Sequence, residues 1–332
     1  MVALQAHFRG LGIRGNIYSE NIGTINTKIS RKFKSYSENP SDLLIYHHSI
    51  HSGVLDFILT KKLPKILVYH NVTPYHFFEP YDLKLSHYLK KGREELSSIR
   101  ESFEICFADS AYNRSELVRL GYQNVHVLPI VYDFSKLHAP SEPHANGTRK
   151  NILFVGRIAP NKKQDDLIRF AKIFRDISGK HFLLNLVGHC SKEMSCYQEE
   201  LERMIDYYDL SEQVKFSSFL SDSELNEYYR NADLFLSMSE HEGFCVPIIE
   251  CMHYGIPIVA YNAGAVKDTM DGSGILFNKK DFAMIAETVS KIFRDPVLRT
   301  KIVSGQQKSL QSFQSKDPTG IIEREIGKKF VI

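Results

Sequence analysis

No apolar run in this chain of 332 residues approaches the roughly 20 consecutive residues that a helix needs to span a bilayer. The opening residues do not read as a secretory signal. Cysteine is scarce: five residues, Cys106, Cys190, Cys196, Cys245 and Cys251, no two of them spaced as C-x-x-C. That spacing argues against a zinc site, and an odd count in a chain of this size favours reduced thiols in a cytosol. A strong excess of one charge is also missing. A formal net charge of +3 is too small for the basic footprint of a nucleic-acid binder, and it suits an enzyme that handles anions at one local site. The three N-x-S/T triplets, at Asn71, Asn113 and Asn146, are short enough to arise by chance.

What is present is an ordinary globular mixture, 43% hydrophobic and 24% charged, in a chain long enough for two domains of about 150 residues each. Short β-branched runs alternate with amphipathic stretches, the rhythm of α/β domains with parallel sheets. In the first half the strand candidates are Arg14–Ser19, Leu43–His47, Lys65–His70, Glu104–Ala108 and Val125–Ile130. In the second they are Asn151–Val155, Phe182–Val187, Val214–Ser217, Leu234–Ser237, Pro257–Ala260 and Gly274–Phe277. Helices are expected at Leu83–Ser102, Gln164–Ile177, Tyr197–Tyr208 and Phe282–Phe293. Residues 139–149 hold two prolines, a glycine and small polar residues, the composition of a linker. The expected organisation is therefore two Rossmann-like domains, 1–138 and 150–310, with a tail at 311–332 that returns to the first. Val2–Leu11 already reads as a helix, with Leu4, Phe8 and Leu11 on one face. The strand and Gly-rich turn that normally precede such a helix do not appear before it: either they lie upstream, leaving an unfilled sheet position beside Arg14–Ser19, or the domain is a shortened variant.

Three segments carry chemistry. In His241-Glu-Gly-Phe-Cys-Val-Pro-Ile-Ile-Glu250 a strand, Leu234–Ser237, leads into a helix whose first turn holds Pro247, where no N–H is needed. Backbone N–H groups near Gly243, Phe244, Cys245 and Val246 then face an anionic or hydroxyl-rich ligand. Glu242 sits before the helix and Glu250 one turn inside it, both able to accept hydrogen bonds from sugar hydroxyls. The alternative is a capped helix with two solvated glutamates. In Asn151-Ile-Leu-Phe-Val-Gly156-Arg157 a strand ends at a basic loop containing Lys162 and Lys163. Arg157 offers a planar fork for phosphate oxygens and Lys162 a mobile point charge; the alternative is a solvated basic turn. In Val68-Tyr-His-Asn-Val-Thr-Pro74, His70 stands at a strand's carboxyl end, where sheet ligands bind, although a lone histidine is usually structural. His47, His48 and His51 follow the preceding strand.

The first segment resembles the E-x7-E region of retaining glycosyltransferases of the GT-B fold, whose usual form is EGFGLPxxEAMAxGxPVVA, over some twenty residues. The second resembles the family's VGRxxxxKG, and HN followed by a nearby proline is found at the third. The resemblance implies two Rossmann-like domains facing across a cleft. It implies that Arg157 and Lys162 bind the donor diphosphate, with Lys163 able to substitute, that Glu242 contacts the donor sugar and that Glu250 holds the ribose. His70 lies near the reacting sugar, with His47, His48 and His51 toward the acceptor. Cys245 departs from the family's usual glycine, and it either shapes the donor pocket or is a small buried residue. The implied reaction is metal-independent hexosyl transfer with retention, from a nucleotide-diphosphate sugar to a saccharide or lipid-linked saccharide, with His70, Arg157, Lys162 and Glu242 as catalytic groups. No D-x-D motif supplies a metal site and no cofactor is expected. The HNVTP segment resembles that of bacterial polysaccharide enzymes using mannose- or rhamnose-type donors, a resemblance that implies GDP-sugars ahead of UDP-sugars. A cytoplasmic enzyme is implied, with peripheral contact at the inner face of a membrane left open. A sugar-nucleotide epimerase and a nucleotide-binding subunit without turnover are the rival readings.

Overall fold

The computed structural model describes residues 1–21, 29–139 and 149–330. Most of the expected linker, residues 140–148, and Asn146 with it, lies outside the described residues. By contacts the chain divides into two units. One comprises Met1–Val72, His87–Tyr132 and Lys316–Ile332, and the other Thr73–Ser86 and Asp133–Ser315.

In the first unit the helix α1 (Val2–Gly10) is followed by strands β1 (Ile17–Ser19) and β2 (Ser30–Lys32), then β3 (Leu44–His48), helix α2 (Gly53–Leu59), β4 (Lys65–Tyr69), α3 (Leu83–Ser98), β5 (Ile105–Ala108), α4 (Ala111–Arg119) and β6 (Val125–Val127). The larger sheet is four-stranded and parallel, in the order β3-β4-β5-β6. Its central strands are almost wholly apolar and buried, as a parallel sheet covered on both faces requires. The segment around Arg14–Ser19 is not part of this sheet. Among the described residues its strand, β1, pairs with β2 in a separate two-stranded sheet, so the expected place of this segment in the larger sheet is not what the structure shows. Alternating residues announce a strand but not the sheet it joins.

In the second unit the order is β7 (Lys150–Val155), α5 (Gln164–Ser178), β8 (Phe182–Val187), α6 (Ser195–Tyr207), β9 (Val214–Ser217), α7 (Asp222–Arg230), β10 (Leu234–Ser237), α8 (Val246–His253), β11 (Ile258–Tyr261), α9 (Val266–Met270), β12 (Ile275–Phe277), α10 (Phe282–Arg294) and α11 (Pro296–Gln314). The sheet order is β12-β11-β10-β7-β8-β9, all parallel. Renumbered within the unit this is 6-5-4-1-2-3, the doubly wound Rossmann order. Helix α5 buries Leu167, Ile168, Phe170, Ala171 and Phe174 on one face, against a core that includes Ile152, Phe154, Leu184 and Leu186. Ser221 and Glu224 form a reciprocal capping box at the start of α7.

One stretch joins a unit that its sequence position does not indicate. Thr73–Ser86 groups with the second unit although it falls within 1–138: the Tyr81 ring lies 5.2 Å from that of Tyr197 and its hydroxyl donates to Glu200 at 2.7 Å. The final helix, α12 (Pro318–Gly327), buries Ile322 and Ile326 in the core of the first unit, with Leu4, Ile66, Val68 and Phe107.

Candidate functional site

In a doubly wound sheet a ligand finds a crevice outside the carboxyl ends of the strands, where the strand order reverses. In the second unit that point lies between β7 and β10. The loops leaving these two strands are the ones that carry the basic and acidic residues singled out by sequence. They are fastened together. The Asn161 amide donates to the carbonyl of His241 at 3.2 Å, and the Glu240 N–H to the carbonyl of Asn161 at 2.9 Å. Asn161 is buried, so this strut is protected from water.

Across it, the Lys162 ammonium donates to both oxygens of Glu242, at 2.8 and 2.7 Å. Glu242 is buried. Its carbonyl accepts from the Ala265 N–H at 2.9 Å, and this contact depends on Gly264. There φ is +57°, and a Cβ would stand 2.3 Å from the Glu242 carbonyl oxygen. A similar close approach fixes the end of β7. A Cβ on Gly188 would stand 2.0 Å from the carbonyl oxygen of Gly156, whose N–H donates to the Val187 carbonyl at 2.9 Å.

The three cations of the basic loop have different fates. Arg157 is exposed and its guanidinium makes no hydrogen bond or ion pair among the described residues. Its carbonyl accepts from the Gln164 side chain at 2.9 Å, so the backbone is held while the fork is available. Lys163 turns away in a left-handed conformation (φ 55°, ψ 48°) and pairs with Asp165 at 2.9 Å. It is thus committed to an acidic network with Arg169, Asp166 and Lys280 and is not positioned as a substitute for Lys162.

At the start of α8, Cys245 takes a left-handed conformation (φ 73°, ψ 69°), which explains why glycine suits this position. Burial, and then the charge of Glu242, push its thiol well above the ordinary range. It is a small, protonated, buried residue rather than a reactive one. The N–H groups of Phe244, Cys245 and Val246 make no hydrogen bond among the described residues, while the Phe244 carbonyl accepts from Thr269. Gly243 completes this turn, and Pro247 follows inside the first helical turn. Free donors at a helix start form an anion-receptive edge. Glu250 is half-buried in the next turn and accepts from the hydroxyl of Tyr229.

The first unit has a cluster of its own at the carboxyl ends of β3, β4 and β5. His70 Nδ1 lies 2.8 Å from Asp109 Oδ2 and His70 Nε2 lies 2.7 Å from His47 Nδ1, with the two imidazoles stacked 5.0 Å apart. Burial, and then the neighbouring His70, push the His47 imidazolium down to about 3, so His47 is neutral. Asn71 follows in a left-handed conformation (φ 70°). Its amide reaches Asn113 at 2.7 Å and Glu116 at 2.9 Å, anchoring the strand end to α4.

The four histidines expected together do not share one surface. His48 is buried, with Nε2 2.9 Å from the Gly92 carbonyl and Nδ1 3.2 Å from the Tyr46 hydroxyl. It is a satisfied core residue, not one that meets a ligand. His51 pairs with Glu95 at 2.6 Å and Lys91 at 3.1 Å on α3. Asp109 and Tyr229 escape a motif search. Each reaches its partner through space, and the only trace in sequence is position, Asp109 one residue beyond β5.

The description "Glycosyl transferases group 1" matches residues 137–309. The chain is 29% identical over 159 residues to D-inositol 3-phosphate glycosyltransferase of Thermomonospora curvata, covering 46% of this chain and 37% of that protein. It therefore spans well under two thirds of this curated relative. Among solved structures it is similar in fold to a glycosyltransferase of Rickettsia africae (TM-score 0.73, 16% identity, 99% of this chain and 93% of that one). A second is Anabaena HepE in complex with UDP-glucose (TM-score 0.64, 19% identity, 80% of this chain and 72% of that one).

Proposed function

The chain belongs to the glycosyl transferases group 1 family, and on that premise we propose that it moves a hexose from a nucleotide-diphosphate donor to a saccharide or lipid-linked saccharide, with retention of anomeric configuration. The observation that carries this reading is the grouping of an unpaired Arg157, a paired Lys162 and Glu242, and the open N–H groups at the start of α8 around the switch point of one sheet.

A departing nucleoside diphosphate develops negative charge. Arg157, Lys162 and the N–H groups of Phe244 to Val246 are the donors that meet it, and such preorganised donors stabilise a transition state without reorganising. For Lys162 to turn to phosphate, its pair with Glu242 must be shared or opened, which frees the Glu242 carboxylate for the hydroxyls of the donor sugar. Glu250 takes the ribose. Attack from the leaving-group face, with a phosphate oxygen receiving the acceptor's proton, needs no side-chain base. In the first unit His70 is held through Nδ1 by Asp109 and through Nε2 by His47, so it serves the reacting sugar by opening its contact with His47.

GDP-sugars are the first donors to test and UDP-sugars the second; the similar fold of Anabaena HepE is known with UDP-glucose. Among the described residues no helix is long and apolar enough to cross a membrane; a lipid-linked acceptor would bring the chain to the inner face of a membrane from the cytoplasm.

The test is turnover of GDP-, UDP-, ADP- and TDP-sugars with and without a saccharide acceptor, in EDTA and in magnesium. Acceptor-dependent release of nucleoside diphosphate, unaffected by EDTA, with an axial or equatorial product bond matching the donor's, is expected. An epimerised nucleotide sugar, or binding without turnover across the acceptor series, would instead favour one of the two rival activities.

A further inference from the structure

Tyr229 is one of the largest fully buried side chains, 1% exposed, and sits on the inner face of α7. Its ring stacks on that of Tyr254 at 5.5 Å and 5°. The Tyr254 hydroxyl in turn donates to Asn226 at 2.5 Å and accepts from the His138 N–H at 3.0 Å, and the Asn226 amide donates to the Lys136 carbonyl at 3.1 Å. The phenol is therefore held by a packed ring and a hydrogen-bonded neighbour. A buried tyrosine hydroxyl needs a polar partner, and here the partner is a carboxylate oxygen, Glu250 Oε2.

Of these two groups the carboxylate is the mobile one. Glutamate on a helix surface has three rotatable bonds, and ordering them costs free energy. Tyr229 settles that cost before any ligand arrives, as preorganisation does. A carboxylate is an acceptor only and carries about four lone-pair sites, so one carboxylate can accept from a phenol and from a ribose hydroxyl together.

We propose that Tyr229 is the positioning residue for the donor ribose: it holds the Glu250 carboxylate as a fixed acceptor for the ribose hydroxyls, and so sets a preference for ribo- over 2′-deoxyribonucleotides. The proposal rests on the reading of Glu250 as the ribose ligand. A phenol that merely braced α7 against α8 would support stability but not this discrimination.

The measurement is calorimetric binding of UDP, GDP and their 2′-deoxy counterparts to the full chain. The expected wild-type preference for the ribo form is about tenfold to a hundredfold, the weight of one hydrogen bond to a charged group. Tyr229→Phe keeps the ring stack and removes one oxygen. It should bring the ratio close to one, with ribonucleotide affinity falling more than that of the 2′-deoxynucleotide, which keeps only the 3′-hydroxyl. Asn226→Ala loosens the same packing through Tyr254; it should lower the melting temperature and keep the ratio. An unchanged ratio in folded Tyr229→Phe overturns the proposal, as does an equal loss of the ratio in Asn226→Ala. The underlying reading fails separately: if Glu250→Gln retains the wild-type ratio, or the wild type has none, Glu250 is not the ribose ligand and the role of Tyr229 falls with it.

Discussion

Lys162 donates to both carboxylate oxygens of Glu242, at 2.8 and 2.7 Å, from a position 80 residues earlier in the chain. The pair joins the loops of two strands adjacent in the sheet, β7 and β10. The pair thus ties the two loops together, whereas Arg157 in the same basic loop has no side-chain partner among the described residues.

This difference separates two substitutions of like charge. Arg157→Ala removes an exposed, unpaired group, so turnover should fall by the equivalent of about 2–4 kcal/mol, as for removal of an oxyanion donor, with little change in melting temperature. Lys162→Ala should lose as much turnover and also about 3 kcal/mol of stability, because a buried carboxylate is left without its cation. Lys162→Met combined with Glu242→Gln should regain stability but not turnover. Steady-state kinetics and thermal melts decide this; equal melting temperatures for the two single variants would remove the structural weight given to the pair.

Gly264→Ala should disturb the same carboxylate from behind. The added Cβ meets the Glu242 carbonyl oxygen at 2.3 Å, at a φ of +57°. A cost of about 1–3 kcal/mol in stability is expected from the enforced conformation alone, with turnover falling as the loop shifts. A melt indistinguishable from wild type would show that this loop has slack.

Acid should act through His47. The unfolded chain takes up this proton near the ordinary value of 6.5, and the folded chain only near about 3. Between these values the unfolded state binds more protons, so the contribution is fully present above pH 6.5 and is lost as pH falls toward 3. The groups facing His47 are His70, with Asp109 behind it, and the amino terminus of the chain. His47→Asn should therefore show a smaller drop in melting temperature between pH 7 and 4.5 than wild type. Parallel slopes would mean that other groups carry the acid sensitivity.

The thiols offer a check on burial. A maleimide at neutral pH should modify exposed Cys196 first and half-buried Cys190 more slowly. Cys106, pushed up to about 12 by burial, and the buried Cys245 and Cys251, whose thiols burial pushes well above the ordinary range, should react only after denaturation. Peptide mass spectrometry reads the order. Rapid native labelling of Cys245 would show that the turn before α8 opens.

Much of the second unit was legible because its signals are local. A buried parallel strand is an apolar run, and the strand ends at Val155 and Ser237 are followed within a few residues by the loops that carry the candidate residues. Pro247 marks the first turn of α8 from sequence alone, since proline lacks the N–H that a helix start does not need. The same locality limits what can be read in the first unit. The strand near Ile17 is visible, but alternation says nothing about which sheet it enters, and it pairs with Ser30–Lys32 rather than with the larger sheet.

By itself, then, the sequence determined most of the strands, the longer amphipathic helices and which loops carry cations, carboxylates and histidines, because chain spacing of a few residues sets those features. Only the tertiary structure decided who meets whom. Sheet neighbours are set by strand order, not chain order, and this brings Lys162 to Glu242 and Asp109 to His70. Helix packing brings Tyr229 to Glu250. It also withdraws His48 from the histidines around it: packing of β3 buries that ring against Gly92 on α3, where its hydrogen bonds serve the core and leave nothing for a ligand.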